Sequence, residues 1–309
     1  MGKYIAITLI SLIVIAGCIS LGCISQEESK IKVGVMPDEA TLPYYVAERE
    51  GIFANQGLDV DVVPFLSAME RDSALMAGEI DAGENDPVGV ILLQNAGYNA
   101  KIVSLELQET GEKMRFAIVA SPGSKMSTVT DLEGKKIAIS SNTVIEYITD
   151  ALLGDVHAEK VEVKKVPMRM QMLLDNEVDA ATLPEPLASY ALYKGAKLIV
   201  SDAMLNKSVS QTVIVFSADF IKKNPESVDK FLAAYSEAVE RINSDPESYR
   251  ALLVEKIRIP EEIAGSYKMA TYLQPQPYPR EKFEEVLNWM QGKDLVQRDI
   301  SYEDIVLGQ

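Results

Sequence analysis

The sequence VPFLSAMERDSALMAGEIDA at residues 63–82 has a shorter counterpart in VPMRMQMLLDNEVDA at residues 166–180. Each stretch carries a Val-Pro pair, then apolar residues at helical spacing, then an acidic turn and a short apolar run ending in Asp-Ala. The order strand, proline, helix, acidic turn, strand therefore occurs twice in the chain. Two copies predict a pair of similar lobes, because a solenoid needs roughly three or more stacked repeats.

The residues around each copy extend the pattern outward. IKVGVM at residues 31–36 and KIAIS at residues 136–140 are short apolar runs typical of buried strands. Thr41 can begin a helix after the first run, and Thr143 with Glu146 matches a capping box after the second. Strands that alternate with helices of about three turns indicate parallel βαβ units. We expect further strands at residues 58–63, 80–82, 101–105, 116–120, 161–166, 178–181 and 213–217.

The chain changes character after residue 217. Prolines at 225, 246, 260 and 279 each lie near the start of a segment that predicts a packing helix. The 309 residues suffice for two domains of about 150 residues each. We assign residues 1–30 to a signal and tether, 31–118 to the first part of lobe 1, 119–212 to lobe 2, and 213–309 to the return to lobe 1 and the C-terminal helices. The extended segments 116–121 and 213–217 would join the lobes.

The first 30 residues have the layout of a lipoprotein signal. An apolar run over residues 4–16 follows one positive charge, and Ile15-Ala16-Gly17-Cys18 resembles a lipobox, whose cysteine is diacylated and becomes the mature N-terminus. Cys23 is an alternative lipidation site, and an uncleaved anchor helix is an alternative to cleavage. Whether the signal is cleaved or stays as an anchor, we expect the folded part of the chain at the extracytoplasmic face of the cell membrane.

Composition excludes several classes of function. Lys and Arg number 30 against 46 Asp and Glu, and the net charge of −16 argues against nucleic acid as a partner. Both cysteines lie in the N-terminal segment, and His157 is the only histidine, which argues against triad hydrolases, zinc sites and iron–sulfur clusters. We therefore expect no catalysis, no cofactor and no metal, although a catalytic pair of carboxylates stays open.

Polar residues follow the predicted strands, where ligands of open α/β sheets bind. The loop 140–143 opens a helix and offers backbone N–H groups to a carboxylate, sulfonate or nitro oxygen, and Arg169 can reach the same crevice. Capping alone is the alternative for Thr143 and Glu185, and core packing is the alternative for Tyr44. The candidate ligand-binding residues are Asp38, Glu39, Thr41, Tyr44, Ser67, Asn85, Asp86, Ser141, Asn142, Thr143, Arg169 and Glu185.

Several longer strings carry a family resemblance. They are YYVAEREGIF at residues 44–53, AGEIDA at 77–82, DLEGKKIA at 131–138 and VDAA at 178–181. Together they resemble the ABC-importer solute-binding proteins of the nitrate, sulfonate, taurine and thiamine-pyrimidine type, over roughly residues 31–295. The resemblance implies an α/β, type II periplasmic-binding-protein fold with two lobes, two crossover segments and a ligand cleft between the lobes. It also implies a lipid-anchored monomer that works with an ABC permease and its ATPase.

The expected class of ligand follows from the acidic residues near the predicted cleft. Asp38, Glu39, Glu84, Asp86 and Glu185 would repel a bare oxyanion such as nitrate, so we expect a small organic solute, sulfonate- or taurine-like or pyrimidine-like. One alternative is a ligand-sensing lipoprotein for a signalling receptor. Another is an enzyme like the pyrimidine-precursor synthases of the same fold, which rely on a Cys-rich iron motif and a histidine in the site.

Overall fold

The computed structural model describes residues 30–108, 111 and 113–308. The predicted signal segment, Cys18 and Cys23 lie outside the described residues. Two mixed five-stranded sheets form the framework. The first sheet has the order β2-β1-β3-β10-β4, and the second has the order β7-β6-β8-β5-β9. The strands are β1 (Ile31–Val35), β2 (Val60–Pro64), β3 (Ala82–Asn85), β4 (Ala100–Leu107), β5 (Phe116–Ala120), β6 (Lys136–Ile139), β7 (Glu159–Glu162), β8 (Ala180–Pro184), β9 (Lys197–Ser201) and β10 (Thr212–Ser217).

Helices cover both sheets. We call the first sheet with α1–α4 and α8–α13 lobe 1, and the second sheet with α5–α7 lobe 2. The helices are α1 (Leu42–Arg49), α2 (Ile52–Asn55), α3 (Ala68–Met76), α4 (Pro87–Asn95), α5 (Val144–Leu153), α6 (Val166–Leu174), α7 (Leu187–Tyr193), α8 (Ala218–Lys223), α9 (Pro225–Ser244), α10 (Arg250–Lys256), α11 (Glu261–Ala264), α12 (Arg280–Gly292) and α13 (Tyr302–Ile305). In the part of the chain that the structure describes, no helix combines the length and apolar character needed to cross a membrane.

The two sheets repeat one plan. In each, the first three strands in order run parallel, as the repeat predicts. The fourth strand is antiparallel to both of its neighbours: β10 pairs with β3 and β4, and β5 pairs with β8 and β9. The chain passes from lobe 1 to lobe 2 between Leu107 and Phe116, and returns between Ser201 and Thr212.

The crossing points differ from the predicted ones. The segments 116–121 and 213–217, expected to join the lobes, are mostly strands within the sheets, and the crossings precede them. The physical reason is burial, because every residue of β5 and all but the last of β10 are buried. A strand that is apolar on both faces needs cover on both faces, and an exposed linker between lobes does not provide it.

Some element boundaries also differ. The third strand runs over residues 82–85 and not 80–82, so Glu84 and Asn85 lie inside β3 and not in the loop after it. The predicted strand at residues 161–166 ends at Glu162, because Pro167 lies in the first turn of α6. Proline favours this position because its missing N–H is not needed there. Arg169 lies on this helix, as the helical spacing after the Val-Pro pair predicts.

The core of lobe 1 packs α1 against α9. The Tyr44 ring lies 5.3 Å from the Tyr235 ring and 6.0 Å from the Phe231 ring, between centroids. Phe231 also stacks on Phe53 at 5.0 Å. Such aromatic pairs add about 0.5–1.5 kcal/mol each beyond the area they bury. The long C-terminal helix thus fixes the helix that follows the first cleft loop.

Strands β1 and β3 approach so closely that only glycine fits between them. A Cβ atom at Gly83 would lie 2.7 Å from the carbonyl oxygen of Gly34 on the neighbouring strand. We expect Gly83→Ala to lower the free energy of unfolding by about 1–3 kcal/mol through overpacking, measured by urea denaturation. Gly265→Ala is the control, because no atom lies within 4 Å of its added Cβ. Equal stability of the two variants would contradict this packing.

Candidate functional site

A cavity of about 480 Å³ lies between the lobes. Lobe 1 lines it with residues 36 and 38, with α3 and its preceding turn, with residues 84 and 86, and with α4. Lobe 2 contributes residues 140–145, the start of α6 and Pro184, and the second crossing contributes Gln211 and Thr212. Both sheets direct their parallel-strand carboxyl ends to this space, as expected of an open α/β sheet. The volume suits a small organic molecule.

Seven of the candidate residues line this cavity. They come from four loops and from α6, and the sequence stretches that supply them lie as much as 131 positions apart. These residues are Asp38, Ser67, Asp86, Ser141, Asn142, Thr143 and Arg169. Their contact with a ligand stays a prediction.

Three of the other candidates do not line the cavity and have structural partners instead. The Thr41 hydroxyl donates to the carbonyl oxygen of Asp38 at 2.8 Å and so shapes the first cleft loop. Tyr44 is fully buried in the aromatic core described above. The side-chain oxygen of Asn85 accepts a bond from Arg71 at 2.6 Å, and its amide donates to Asp72 at 3.0 Å.

Glu39 and Glu185 are buried outside the main cavity, near the segment where the chain first crosses between the lobes. Glu39 accepts a hydrogen bond from the Tyr267 hydroxyl at 2.9 Å and pairs with Lys113. Glu185 accepts a bond from the Ser189 hydroxyl at 2.9 Å. Burial, with a further contribution from the nearby Glu39 carboxylate, raises the pKa of Glu185 to about 7. Neither residue lines the main cavity.

The centre of the lobe 1 wall is Arg71, which the sequence analysis did not identify. Its guanidinium is 2% exposed and donates to Asp72 Oδ1 at 2.9 and 3.0 Å. It also donates to Glu84 Oε2 at 3.4 Å and to Asn85 Oδ1 at 2.6 Å. The repeat could have pointed to Arg71, because Arg71 and Arg169 lie on corresponding helices of its two copies, α3 and α6.

Burial makes the carboxylates on this wall weak acids. Burial raises the pKa of Glu84 to about 7, with a smaller upward contribution from Asp38, while Arg71 acts in the opposite direction. Burial likewise raises the pKa of Asp86 to about 6, against the lowering effects of Arg71 and the Gly89 N–H. The pKa of Asp38 is raised by burial too, although the field of Arg115 opposes it.

The loop on the lobe 2 wall caps helix α5. The Thr143 hydroxyl accepts the N–H of Ile145 at 3.2 Å, so Thr143 caps the helix, but the predicted capping box is not formed because Glu146 accepts from Asn142 and not from Thr143. Carboxylates of the protein itself take two more N–H groups: Glu162 accepts from Ser141 at 2.7 Å, and Glu146 accepts from Asn142 at 2.8 Å. Because these two N–H groups are already taken, an anion finds fewer free donors in the loop than the sequence predicts.

Arg169 is a fully buried cation on the same wall. Its guanidinium donates to the carbonyl oxygen of Val163 at 3.0 and 3.2 Å and to that of Thr182 at 2.9 Å. Burial lowers its pKa to about 10, which leaves it charged at neutral pH. Within the described ranges no carboxylate forms an ion pair with it, and no cluster of three His, Cys, Asp or Glu side chains could hold a metal ion.

Comparisons with known proteins match this architecture. The model of the family described as NMT1/THI5 like matches residues 39–249. The crystal structure of the periplasmic aliphatic sulphonate binding protein SsuA from Escherichia coli superposes with a TM-score of 0.75 at 20% identity, covering 90% of this chain and 92% of that chain. The likeness confirms the predicted two-lobed periplasmic-binding-protein fold.

Curated relatives carry two kinds of name. A protein of Escherichia coli (strain K12) named for binding aliphatic sulfonates is 28% identical over 211 residues, 66% of this chain. The chain matches 64% of that relative's length. The 4-amino-5-hydroxymethyl-2-methylpyrimidine phosphate synthase THI11 of Saccharomyces cerevisiae is 25% identical over 230 residues, 68% of this chain and 65% of the relative.

The raised pKa of Glu84 predicts a pH-dependent stability. Its pKa is about 7 in the folded chain against 4.5 for an ordinary glutamate, so its stabilising contribution is complete below pH 4.5 and is lost as pH rises through 7. We expect Glu84→Gln, which stays neutral, to gain up to about 3 kcal/mol relative to the parent protein between pH 5 and pH 8.

Urea denaturation of both proteins across this pH range measures the difference. Glu177→Gln, in an exposed turn, is the control and should show no such trend. A Glu84→Gln difference that stays constant with pH would contradict the assignment.

Proposed function

Because the chain belongs to the NMT1/THI5-like family, we propose that it is the extracytoplasmic solute-binding component of an ABC importer. It captures a small organic solute between its lobes and delivers that solute to a membrane permease with its ATPase. The observation that carries this proposal is the cavity, because both lobes and a crossing segment line it. A ligand that touches both walls stabilises the closed arrangement by its differential affinity for that arrangement.

Two of the ion pairs between the lobes are weak. Lys165 of lobe 2 lies 3.8 Å from Glu70 of lobe 1, and Lys194 lies 3.2 Å from Glu262. Both pairs are exposed at the surface, where an ion pair contributes about 0–1 kcal/mol. Both pairs therefore contribute little to closure, in contrast to the less exposed ion pairs that join α12 of lobe 1 to α5 of lobe 2.

We propose binding rather than catalysis. Cys18 and Cys23 are the only cysteines and precede the described body, and His157 is exposed and does not line the cavity. The chain therefore brings neither a thiol nor an imidazole to the cleft, which removes the common nucleophiles and the bases that activate them. The relatives named for solute binding agree with this choice, and the yeast synthase name marks the alternative.

The N-terminal segment completes the proposal. Cys18, or alternatively Cys23, carries the lipid that anchors a monomeric body at the outer face of the cell membrane. An anchor raises the effective concentration of the body near its permease. Mass spectrometry of the intact protein from its native host tests this assignment, since a diacylated cysteine at the mature N-terminus is expected and an unmodified Met1 would overturn it.

The solute itself can be read out directly. The full-length protein, purified from membranes of its native host, should release a small organic molecule on denaturation, which mass spectrometry identifies. Calorimetric titration of that molecule back into the emptied protein should give one site per chain. A preparation that releases no solute, and that converts a pyrimidine precursor instead, would favour the enzyme.

Asp38 tests the cavity as the binding site. Its Oδ1 atom accepts the Ala40 N–H at 2.8 Å, a bond that asparagine can also accept. We expect Asp38→Asn to keep its fold and to weaken binding of the released solute by about tenfold, the equivalent of 1.4 kcal/mol. Asp61→Asn, on the edge strand β2, is the matched control, and equal affinities of the two variants would place the solute elsewhere.

A further inference from the structure

One apolar core cluster contains residues of both lobes. Its buried side chains include Tyr147, Ile148 and Leu152 of α5 in lobe 2, and Val286 and Met290 of α12 in lobe 1. The buried residues of the other two clusters each belong to a single lobe. The lobes therefore share a packed contact where α5 meets α12, besides the two segments of chain that connect them.

Helix α12 is fixed to lobe 1 by the residues that follow it. Asn95 of α4 accepts the backbone N–H of Gln297 at 3.0 Å and donates to the carbonyl oxygen of Leu295 at 3.3 Å. Further along the chain, Lys101 of β4 donates to the carbonyl oxygen of Asp304 at 2.6 Å. When the lobes move relative to each other, α12 therefore moves with lobe 1.

Polar side chains cross this contact from one lobe to the other. Lys293 of α12 binds two carboxylates of α5, Glu146 at 2.8 Å and Asp150 at 2.7 Å. The indole N–H of Trp289 donates to Asp150 at 3.0 Å, and its ring meets the Tyr147 ring edge-on with 5.3 Å between the centroids. The pairs 289 and 293 on α12 and 146 and 150 on α5 are each four residues apart, the spacing that places two side chains on one face of a helix.

These ion pairs are less exposed than the other two between the lobes. The Glu146 side chain is 9% exposed, against 43% for Glu70 and 40% for Glu262. Burial acts to raise the pKa of Glu146, but hydrogen bonds from Lys160 and Lys293 outweigh it and lower that pKa to about 2. Glu146 is therefore ionised at neutral pH, and its bonds to the lysines are charge-assisted, which makes them stronger than neutral hydrogen bonds.

Glu146 connects this contact to the cavity. Its Oε1 atom accepts from Lys293 of lobe 1, and its Oε2 atom accepts the backbone N–H of Asn142 at 2.8 Å. Asn142 belongs to the loop 140–143, which lines the cavity on the lobe 2 side. Its φ of 57° lies in the left-handed region, which is uncommon for residues other than glycine, and the bond to Glu146 holds the loop in this conformation.

We propose that α12 is a latch between the lobes: Lys293 and Trp289 fasten α5 to lobe 1 in the closed arrangement, and through Glu146 they fix the loop 140–143. The latch rests on the proposed function, capture of a solute by closure, and names residues that regulate it. None of the three side chains lines the cavity, so they are positioning residues. They strengthen solute binding by holding the empty protein close to the arrangement that the solute needs, which lowers the cost of closure.

Fluorescence reports on the latch directly, because Trp289 is the only tryptophan among the 309 residues. Quenching by acrylamide, a neutral molecule, measures how accessible the indole is to solvent. In the full-length protein without solute, we expect Lys293→Met to raise the quenching constant about twofold or more, because loss of the ion pairs shifts the population towards the open form.

Two further variants bracket this result. Lys282→Met is the matched control, because Lys282 lies on the same helix and pairs with Glu285 of that helix at 3.1 Å. It loses the same charge without loosening the lobes and should be quenched like the parent protein. Asp150→Asn keeps an acceptor for the Trp289 N–H but loses the ion pair with Lys293, so its quenching constant should lie between those of the two lysine variants.

Hydrogen exchange, followed by mass spectrometry on the same solute-free proteins, tests the connection to the cavity. We expect peptides that cover residues 140–146 to exchange severalfold faster in Lys293→Met than in the parent protein, since weakly held segments open more often. In Lys282→Met they should exchange at the parent rate. Peptides from β1 and β8 should exchange alike in all variants, which verifies that both lobes are folded.

Three outcomes would overturn the latch. Lys293→Met could match the parent protein in quenching, Lys282→Met could change as much as Lys293→Met, or quenching could rise while the loop 140–143 exchanges at the parent rate. Because these measurements use the protein without solute, each of those failures leaves the proposed function standing. That function is tested separately by the solute released from the protein of its native host.

Discussion

The buried guanidinium of Arg71 holds the acidic wall of the cleft together. It donates to Asp72 on its own helix, α3, and to Glu84 and Asn85 on β3. One side chain therefore links α3 to the sheet of lobe 1. Removing one member of such a network leaves the others buried without a partner, which is strongly destabilising. The position of the neighbouring Asp86, whose backbone N–H donates to Asn85 at 2.7 Å, depends on the same network.

The repeat places a second arginine at the corresponding point of lobe 2 but surrounds it differently. Arg169 meets carbonyl oxygens where Arg71 meets carboxylates. The glutamates nearest to the lobe 2 loop bind backbone N–H groups and lysines away from the cavity lining. Two lobes with one plan therefore present walls of opposite charge.

Much of this could be predicted from the sequence because the repeat has physical causes. Short β-branched runs before a proline or a capping threonine predict strands that end where helices begin, which located Asp38, Ser67, Ser141 and Thr143 at the cavity. Arg71 was not predicted as a site residue, because a helical arginine is normally exposed and sequence alone does not show which carboxylates surround it. Strands β5 and β10 were predicted, but their antiparallel direction was not, since strand direction leaves no trace in a buried apolar run. Tyr44 differs from Tyr45 only in which face of α1 it occupies, and long-range packing against α9 decides that face.

A crystal structure of the full-length protein with the solute that it carries from its native host tests the polarity of the cleft most directly. The account predicts a nitrogen of the solute within about 3 Å of a carboxylate oxygen of Asp38 or Asp86, a normal hydrogen-bond distance. A solute whose negative group lies against Asp38 and Asp86, or one bound outside the space between the lobes, would contradict it.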